Sequence, residues 1–275
     1  FTSSVIKLKP SEARNQLLDL SHGDWVFFID DDAYPDEKIF QHFYKLLVNH
    51  KFDIVGGPNL QPATANWFQR SSDHVLSSYF GSLGSYVRYT PSKAWLPATE
   101  QHLTSCNLFV RGSIAKKLSF NEKLSTAEES DFLIRARKSS CKIFYACSLI
   151  VYHERRNNFL DYLQQIYSYG VGRAAIIQTN PENIICTSKL IIVLSLLIPY
   201  LFYLNSQTVG PILTLYSLMM LAEIYRARLA FGNKIFLATL YPLHHFTYIF
   251  GLHVGVRRRV ALKVPVQFIR FQKAP

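Results

Sequence analysis

Along this chain, short continuous apolar runs alternate with longer segments whose apolar positions recur every three or four residues. Residues 10–20 have the helical spacing, with Ser11 as the expected cap and Gly23 closing the region. Trp25-Val26-Phe27-Phe28-Ile29 predicts a strand buried on both faces. A helix is expected over 36–50 and a second buried strand over Asp53-Ile54-Val55-Gly56-Gly57. Cys106 to Val110, Ile143–Tyr145 and Leu149–Tyr152 supply the remaining strands. Helices between short apolar strands predict an α/β domain with a largely parallel sheet. The stretch 61–103 is polar and aromatic with no clear period; it predicts one helix near 65–80 and a site loop.

The pattern changes after His153. Residues 157–175 predict a Tyr-rich helix, with Phe159, Tyr162, Leu163, Ile166 and Tyr167 on one face. From Leu190 to Ala222 there are 33 consecutive residues without a charge. Asn205-Ser206-Gln207-Thr208 and Gly210-Pro211 divide this run into two membrane-span candidates, about 188–204 and 209–225. A further uncharged run, 235–256, contains Pro242, His244, His245 and His253 and stops at Arg257-Arg258-Arg259. Three regions follow: an α/β domain over 1–155, an amphipathic interfacial linker over 156–185 and membrane segments over 186–275.

Charge supports the division. The net charge is +11, but residues 186–275 hold ten Lys/Arg and one acid, whereas 1–185 are nearly balanced. Basic residues flanking apolar runs point to membrane lipids as partners and away from nucleic acid. Two or three spans with no charge inside them except Glu223 make a poor transporter. The cysteines, Cys106, Cys141, Cys147 and Cys186, form no CxxC pair, which excludes a zinc ribbon and favours a reducing compartment.

Three polar groups carry candidate chemistry. Asp30-Asp31-Asp32 directly follows the first apolar run, at the carboxyl end of a strand, where α/β sheets bind ligands. Adjacent carboxylates repel one another unless a cation compensates, and hard oxygen donors favour Mg²⁺ or Mn²⁺. Glu128-Glu129-Ser130-Asp131 opens a further helix, where a carboxylate can remain ionised as a base; Asp131 and Arg135, four apart, also suit an ordinary surface pair. His153 ends a strand as the aspartates do, which makes it a candidate ligand for metal or diphosphate.

Six pieces in order resemble a family 2 glycosyltransferase of the GT-A fold: Ala13-Arg14-Asn15, FIDDDAYPDE, Asp53–Gly57, SCNLFVRGS, EESDFLIRARK and Val151-Tyr152-His153. The downstream Tyr169-Gly170-Val171-Gly172-Arg173-Ala174 and the apolar segments are similar to bacterial members that build cell-envelope polysaccharides or glycolipids. The resemblance implies a nucleotide-sugar donor and a lipid-linked or glycan acceptor. It assigns Asp32, with Asp30 and His153, to the metal ion, and Asp30 or Asp31 to ribose or sugar. Arg14 and Asn15 would lie near the nucleotide, and His153 near the diphosphate. Glu129 takes the base position, where the family commonly has Asp; Glu128 and Asp131 remain alternatives. The resemblance also implies a strand–helix–strand unit ahead of Arg14, so the sheet is expected to lack its first strands. No Gln-x-x-Arg-Trp signature of processive synthases is present, which favours single transfer.

With the catalytic domain in the cytoplasm, two crossings return Arg226, Arg228 and Lys234 to the inner side of the plasma membrane. A third would export Arg257-Arg258-Arg259, so 235–256 is expected to be re-entrant or interfacial. The rival expectation is a membrane-anchored scaffold of the same fold without catalysis.

Overall fold

A computed structural model describes residues 8–91, 95–124, 126–179 and 206–260. Helix α1 (Pro10–Leu20) opens on proline, whose fixed φ suits the first helical position and whose missing N–H costs nothing there. Its cap is Lys9, not the expected Ser11: the Lys9 N–H donates to Glu12 Oε2 at 2.9 Å, while Ser11 is buried.

The strands form two sheets. The larger has the order β1 (Trp25–Phe28), β6 (Leu108–Arg111), β3 (Ile54–Gly56), β7 (Ile143–Tyr145), β5 (Leu96–Pro97). The smaller joins β2 (Ala33–Pro35), β8 (Val151–His153) and β4 (Asn59–Leu60) in that order. The mixed α/β class with flanking helices is as expected, but a largely parallel sheet is not what forms. Among the described strands, only β3–β7 and β4–β8 pair in parallel, and β6 runs against both β1 and β3. The cause is the stretch between β4 and β6. In place of a compact crossover it makes a long excursion through α3 (Trp67–Ser77), α4 (Tyr79–Ser82), a 3₁₀ turn at Leu83–Arg88 and β5. The chain then re-enters the sheet from the opposite end.

Strand β1 also departs from expectation. It lies at the sheet edge, with Trp25, Val26 and Phe27 half-buried and only Phe28 buried. Central β3 is buried at all three positions. Period-two alternation sends Ile54, Leu108 and Val110 to one face, where Phe132 of α6 (Glu128–Lys138) and Leu18 cover them. Val55 and Phe109 face the other way, toward Ile39 and Phe43 of α2 (Ile39–Asn49). There Phe109 stacks on Phe27 at 4.1 Å and on Phe43 at 4.2 Å between centroids. Helix α5 (Gly112–Leu118) closes the first face.

A helical layer adjoins the sheets. Helix α7 (Phe159–Thr179) packs along α9 (Phe231–Val260), and α8 (Ser206–Arg226) flanks them. Phe68 and Val75 of α3 share a core with Tyr162, Ile166, Leu237, Leu240 and Tyr241. The expected span 188–204 lies outside the described residues; 209–225 falls within α8 and 235–256 within α9. Helix α9 is unbroken through Pro242, so its chain does not turn back as a re-entrant segment would. Segment Phe231–Arg258 is long and apolar enough to cross a membrane, with 33% of its most apolar window buried.

Glycines let α7 and α9 touch backbone to backbone. A Cβ on Gly170 would lie 2.2 Å from the Tyr248 carbonyl oxygen, and one on Gly251 2.2 Å from that of Tyr167. Gly170→Val is therefore expected to destabilise the chain by about 1–3 kcal/mol. Gly232→Ala, with nothing within 4 Å of the new Cβ, should melt at or slightly above wild type. Thermal unfolding of the purified pair checks this; equal melting of Gly170→Val and wild type would contradict the crossing.

Candidate active site

Strand pairing builds the site. The antiparallel β1–β6 pairing ends at Phe28 and Leu108, and just beyond it the Asp30 turn lies beside the 3₁₀ turn Ser105–Asn107, which brings Asp30 to Cys106. The β2–β8 register pairs Ala33 with His153, which brings the preceding Asp32 to the imidazole: Oδ1 lies 3.0 Å from His153 Nε2. Asp30, Cys106 and His153 each offer one ligand atom, all within 4.8 Å of one another. Burial lowers the pKa of His153 although the Asp32 charge opposes it, so its ring nitrogen is neutral and able to ligate. Burial, then the Asp30 charge, pushes the Cys106 thiol up to about 12. Asp31 and Asp32 are exposed on the turn. Two carboxylates and a neutral imidazole fit a divalent cation.

Arg14 joins this group to the second acidic motif. Its Nη1 donates to Glu128 Oε1 at 2.6 Å and its Nη2 to Asp30 Oδ1 at 3.2 Å. The guanidinium also sits over the Phe120 ring, 5.4 Å from its centroid. The Arg14 and Glu128 side chains are 18% and 10% exposed, so the bond is partly dehydrated and removal of one partner strands the other.

Helix α6 begins after Ala127, held at φ 62° in the left-handed region, so both glutamates fall in its first turn. Behind them, a Cβ on Gly172 of α7 would meet Ala127 Cβ and Thr126 Oγ1 at 3.0 Å. Burial raises the pKa of Glu129, and the neighbouring Glu128 charge raises it further, while Arg88 and Arg14 oppose. A carboxylate of raised basicity suits proton removal near neutral pH.

Two candidates have other employment. Asp131 Oδ2 accepts from Arg135 Nε at 2.7 Å, and Arg135 continues to the Leu118 and Ser119 carbonyls. The four-residue spacing thus forms a pair inside the packing. Asn15 donates to the Phe120 carbonyl at 2.9 Å and accepts from the Phe120 N–H at 2.8 Å, tethering that loop.

Cys106 escaped the sequence reading, because only the antiparallel register brings it to Asp30. Arg155, two residues beyond His153, carries no motif that marks it in the sequence. It is buried, bonded to Asp73 Oδ1 at 2.9 Å and to the Asn59 carbonyl, and lies over the Tyr89 ring at 4.7 Å. A buried guanidinium with these partners locks β8 to α3 and β4.

The sequence profile described as "Glycosyl transferase family group 2" matches residues 25–254. A comparison with curated protein sequences returned no match. Among solved structures, the chain is similar to S. aureus TarS 1-349, at 16% identity and a TM-score of 0.39 over 92% of this chain and 71% of that one. The same protein in complex with UDP-GlcNAc gives 15% identity and a TM-score of 0.38, over 92% of this chain and 72% of that one. Its UDP complex gives 15% and 0.37, over 97% and 74%. The chain belongs to glycosyl transferase family group 2.

The raised pKa of Glu129 has a defined sign in stability. The folded chain holds this proton more tightly than the unfolded one, so the contribution is present at low pH. It is lost as pH rises from the ordinary carboxyl value of 4.5 through the raised one. Glu129→Gln is expected to flatten that decline and melt above wild type at pH 7. Asp131→Asn should instead melt lower at pH 7, having lost a charge-assisted bond worth roughly 1.5–3 kcal/mol. Melting curves between pH 4 and 8 test both; a Glu129→Gln variant that tracks wild type across that range would remove the raised carboxyl.

Proposed function

We propose that this family member is an inverting glycosyltransferase. It moves a sugar from a nucleotide-sugar donor to a hydroxyl of a lipid-linked or polysaccharide acceptor at the cytoplasmic face of the plasma membrane. The observation that carries the reading is the Arg14 bridge, which sets Asp30 and Glu128 on one guanidinium. The acidic ligand group and the first turn of α6, which carries Glu129, are thereby tied together, as a displacement at an activated sugar requires.

Asp32, Asp30 and His153 would hold Mg²⁺ or Mn²⁺, which supplies Lewis-acid neutralisation of charge on a departing diphosphate. Asp31 would meet the ribose or sugar, a role that its exposure on the turn supports. Glu129 accepts the acceptor hydroxyl proton as that oxygen attacks the anomeric carbon. The nucleoside diphosphate leaves from the opposite face, configuration inverts, and no covalent enzyme intermediate forms. The Glu128–Arg14 pair keeps a second negative charge beside Glu129, which sustains its basicity.

Membrane residence brings a lipid-linked acceptor to this site. Exposed Leu213, Leu215, Leu218 and Leu221 make α8 an apolar surface suited to lipid. Helix α9 buries Leu237, Leu240 and Tyr241 against α3 and α7 while Ile235, Phe246 and Phe250 stay exposed. Such one-sided burial supports placing α9 in the interface, with exposed Arg257 and Arg258 toward anionic headgroups.

The test is transfer of label from a panel of nucleotide-sugars by the membrane-reconstituted chain. Asp32→Ala should lose Mn²⁺-dependent donor binding. Glu129→Gln should still bind donor but turn over about 10²–10⁴-fold more slowly. Near-normal turnover in either variant removes that residue from the mechanism, and a product of retained anomeric configuration overturns inversion.

A further inference from the structure

The ligand group beside the acidic turn contains one atom that a hard cation does not use. Asp30, Cys106 and His153 contribute a carboxylate oxygen, a sulfur and an imidazole nitrogen, all within 4.8 Å of one another. Cys106 is 3% exposed, whereas Asp30 and His153 are half-buried and Asp32 beside them is exposed, so the thiol forms the floor of a site open on its carboxylate side. Mg²⁺ demands an octahedral shell of oxygens and keeps several waters, which leaves a thiol as a spectator. A soft or borderline cation reads the same three residues differently. Oxygen, nitrogen and sulfur are each accepted by Zn²⁺, whose tetrahedral bonds of about 2.0–2.3 Å hold ligand atoms roughly 3.3–3.8 Å apart. The three atoms would have to draw together by at most about 1.5 Å, within reach of side-chain rotation.

We propose that Asp30, Cys106 and His153 form a thiolate-containing site for Zn²⁺ or a like cation, which inhibits the enzyme by occupying the position of the donor's own metal. Binding forms a metal–sulfur bond as the S–H bond breaks, and the proton passes to solvent. No oxidant or reductant takes part. Water or an Asp32 oxygen completes the shell. Divalent affinities for such a mixed set place Zn²⁺ above Mn²⁺, so a small zinc concentration displaces a larger manganese one. The inhibitory part of this inference rests on the proposed metal-assisted transfer; the site itself does not.

The probe is Co²⁺, added to the full chain in detergent with no donor or acceptor present. A thiolate-to-cobalt charge-transfer absorption should appear in the near ultraviolet and be displaced by Zn²⁺ at least tenfold more effectively than by Mn²⁺. Cys106→Ser should abolish the band, and Cys141→Ser, which alters a thiol outside the group, should retain it. X-ray absorption of the zinc-loaded wild-type chain needs no variant to fold and should record one sulfur at about 2.3 Å. A cobalt spectrum without the band, a zinc shell of oxygen and nitrogen alone, or a band that survives Cys106→Ser each overturns the site. A band without sugar transfer under any metal leaves the site standing and removes the enzyme reading. Mn²⁺-dependent transfer without a band does the reverse. If both are present, zinc inhibition relieved by Mn²⁺ in wild type and weakened at least tenfold in Cys106→Ser completes the inference, and inhibition indifferent to Cys106 defeats it.

Discussion

The guanidinium of Arg14 holds two acidic motifs together across a long stretch of sequence. It donates to Glu128 and Asp30 at once, in a setting where neither bond is fully wet. Without it, the turn after β1 and the first turn of α6 present carboxylates to one another, and like charges at short range drive such segments apart. Helix α1 is therefore as much a part of the site as the sheet. Its proline start and the Asn15 tether to Phe120 fix the direction from which Arg14 arrives. The bridge also holds Glu128, and with it a negative charge, beside the half-buried Glu129.

From this constraint the rest of the architecture reads outward. Ala127 in the left-handed region sets the two glutamates at the helix entrance, and Gly172 lets α7 press against that loop. Helix α7 in turn lies on α9 through Gly170 and Gly251, so the segment nearest the proposed membrane surface is in direct backbone contact with the support of the proposed base. On the opposite side, Arg155 ties β8 to α3 and β4 and so fixes His153 against Asp32. Asp30 is thus held through Arg14, and His153 through its neighbour Arg155.

How much of this was legible beforehand depended on the range of each interaction. Trp25–Phe28, Ile54–Gly56 and Ile143–Tyr145 were readable as strands because burial writes itself into a local apolar run. The helix over Trp67–Ser77 was readable although its surroundings were not, and Asn66 with Gln69 caps it reciprocally. The Asp131–Arg135 pair followed from helical spacing alone. Strand direction was not legible, since β6 reverses after an excursion whose polar, aromatic sequence carries no period. Cys106 was hidden for the same reason: its place opposite Asp30 is a consequence of that reversal. Ser11 was mistaken for a cap because capping preference is a local rule, whereas Pro10 at the first helical position and Glu12 reaching back to Lys9 set the boundary. The acidic motifs could be named from sequence, but their convergence on one arginine is a tertiary fact.

That convergence is the central claim, and Arg14→Lys tests it most directly, because lysine keeps the charge but lacks the fork that reaches two carboxylates. The measurement is steady-state sugar transfer by the reconstituted chain, together with its melting temperature. The account predicts a folded protein whose kcat falls by at least about 10²-fold, as expected when a positioned group is displaced by an ångström. A folded Arg14→Lys variant that turns over like wild type would contradict it.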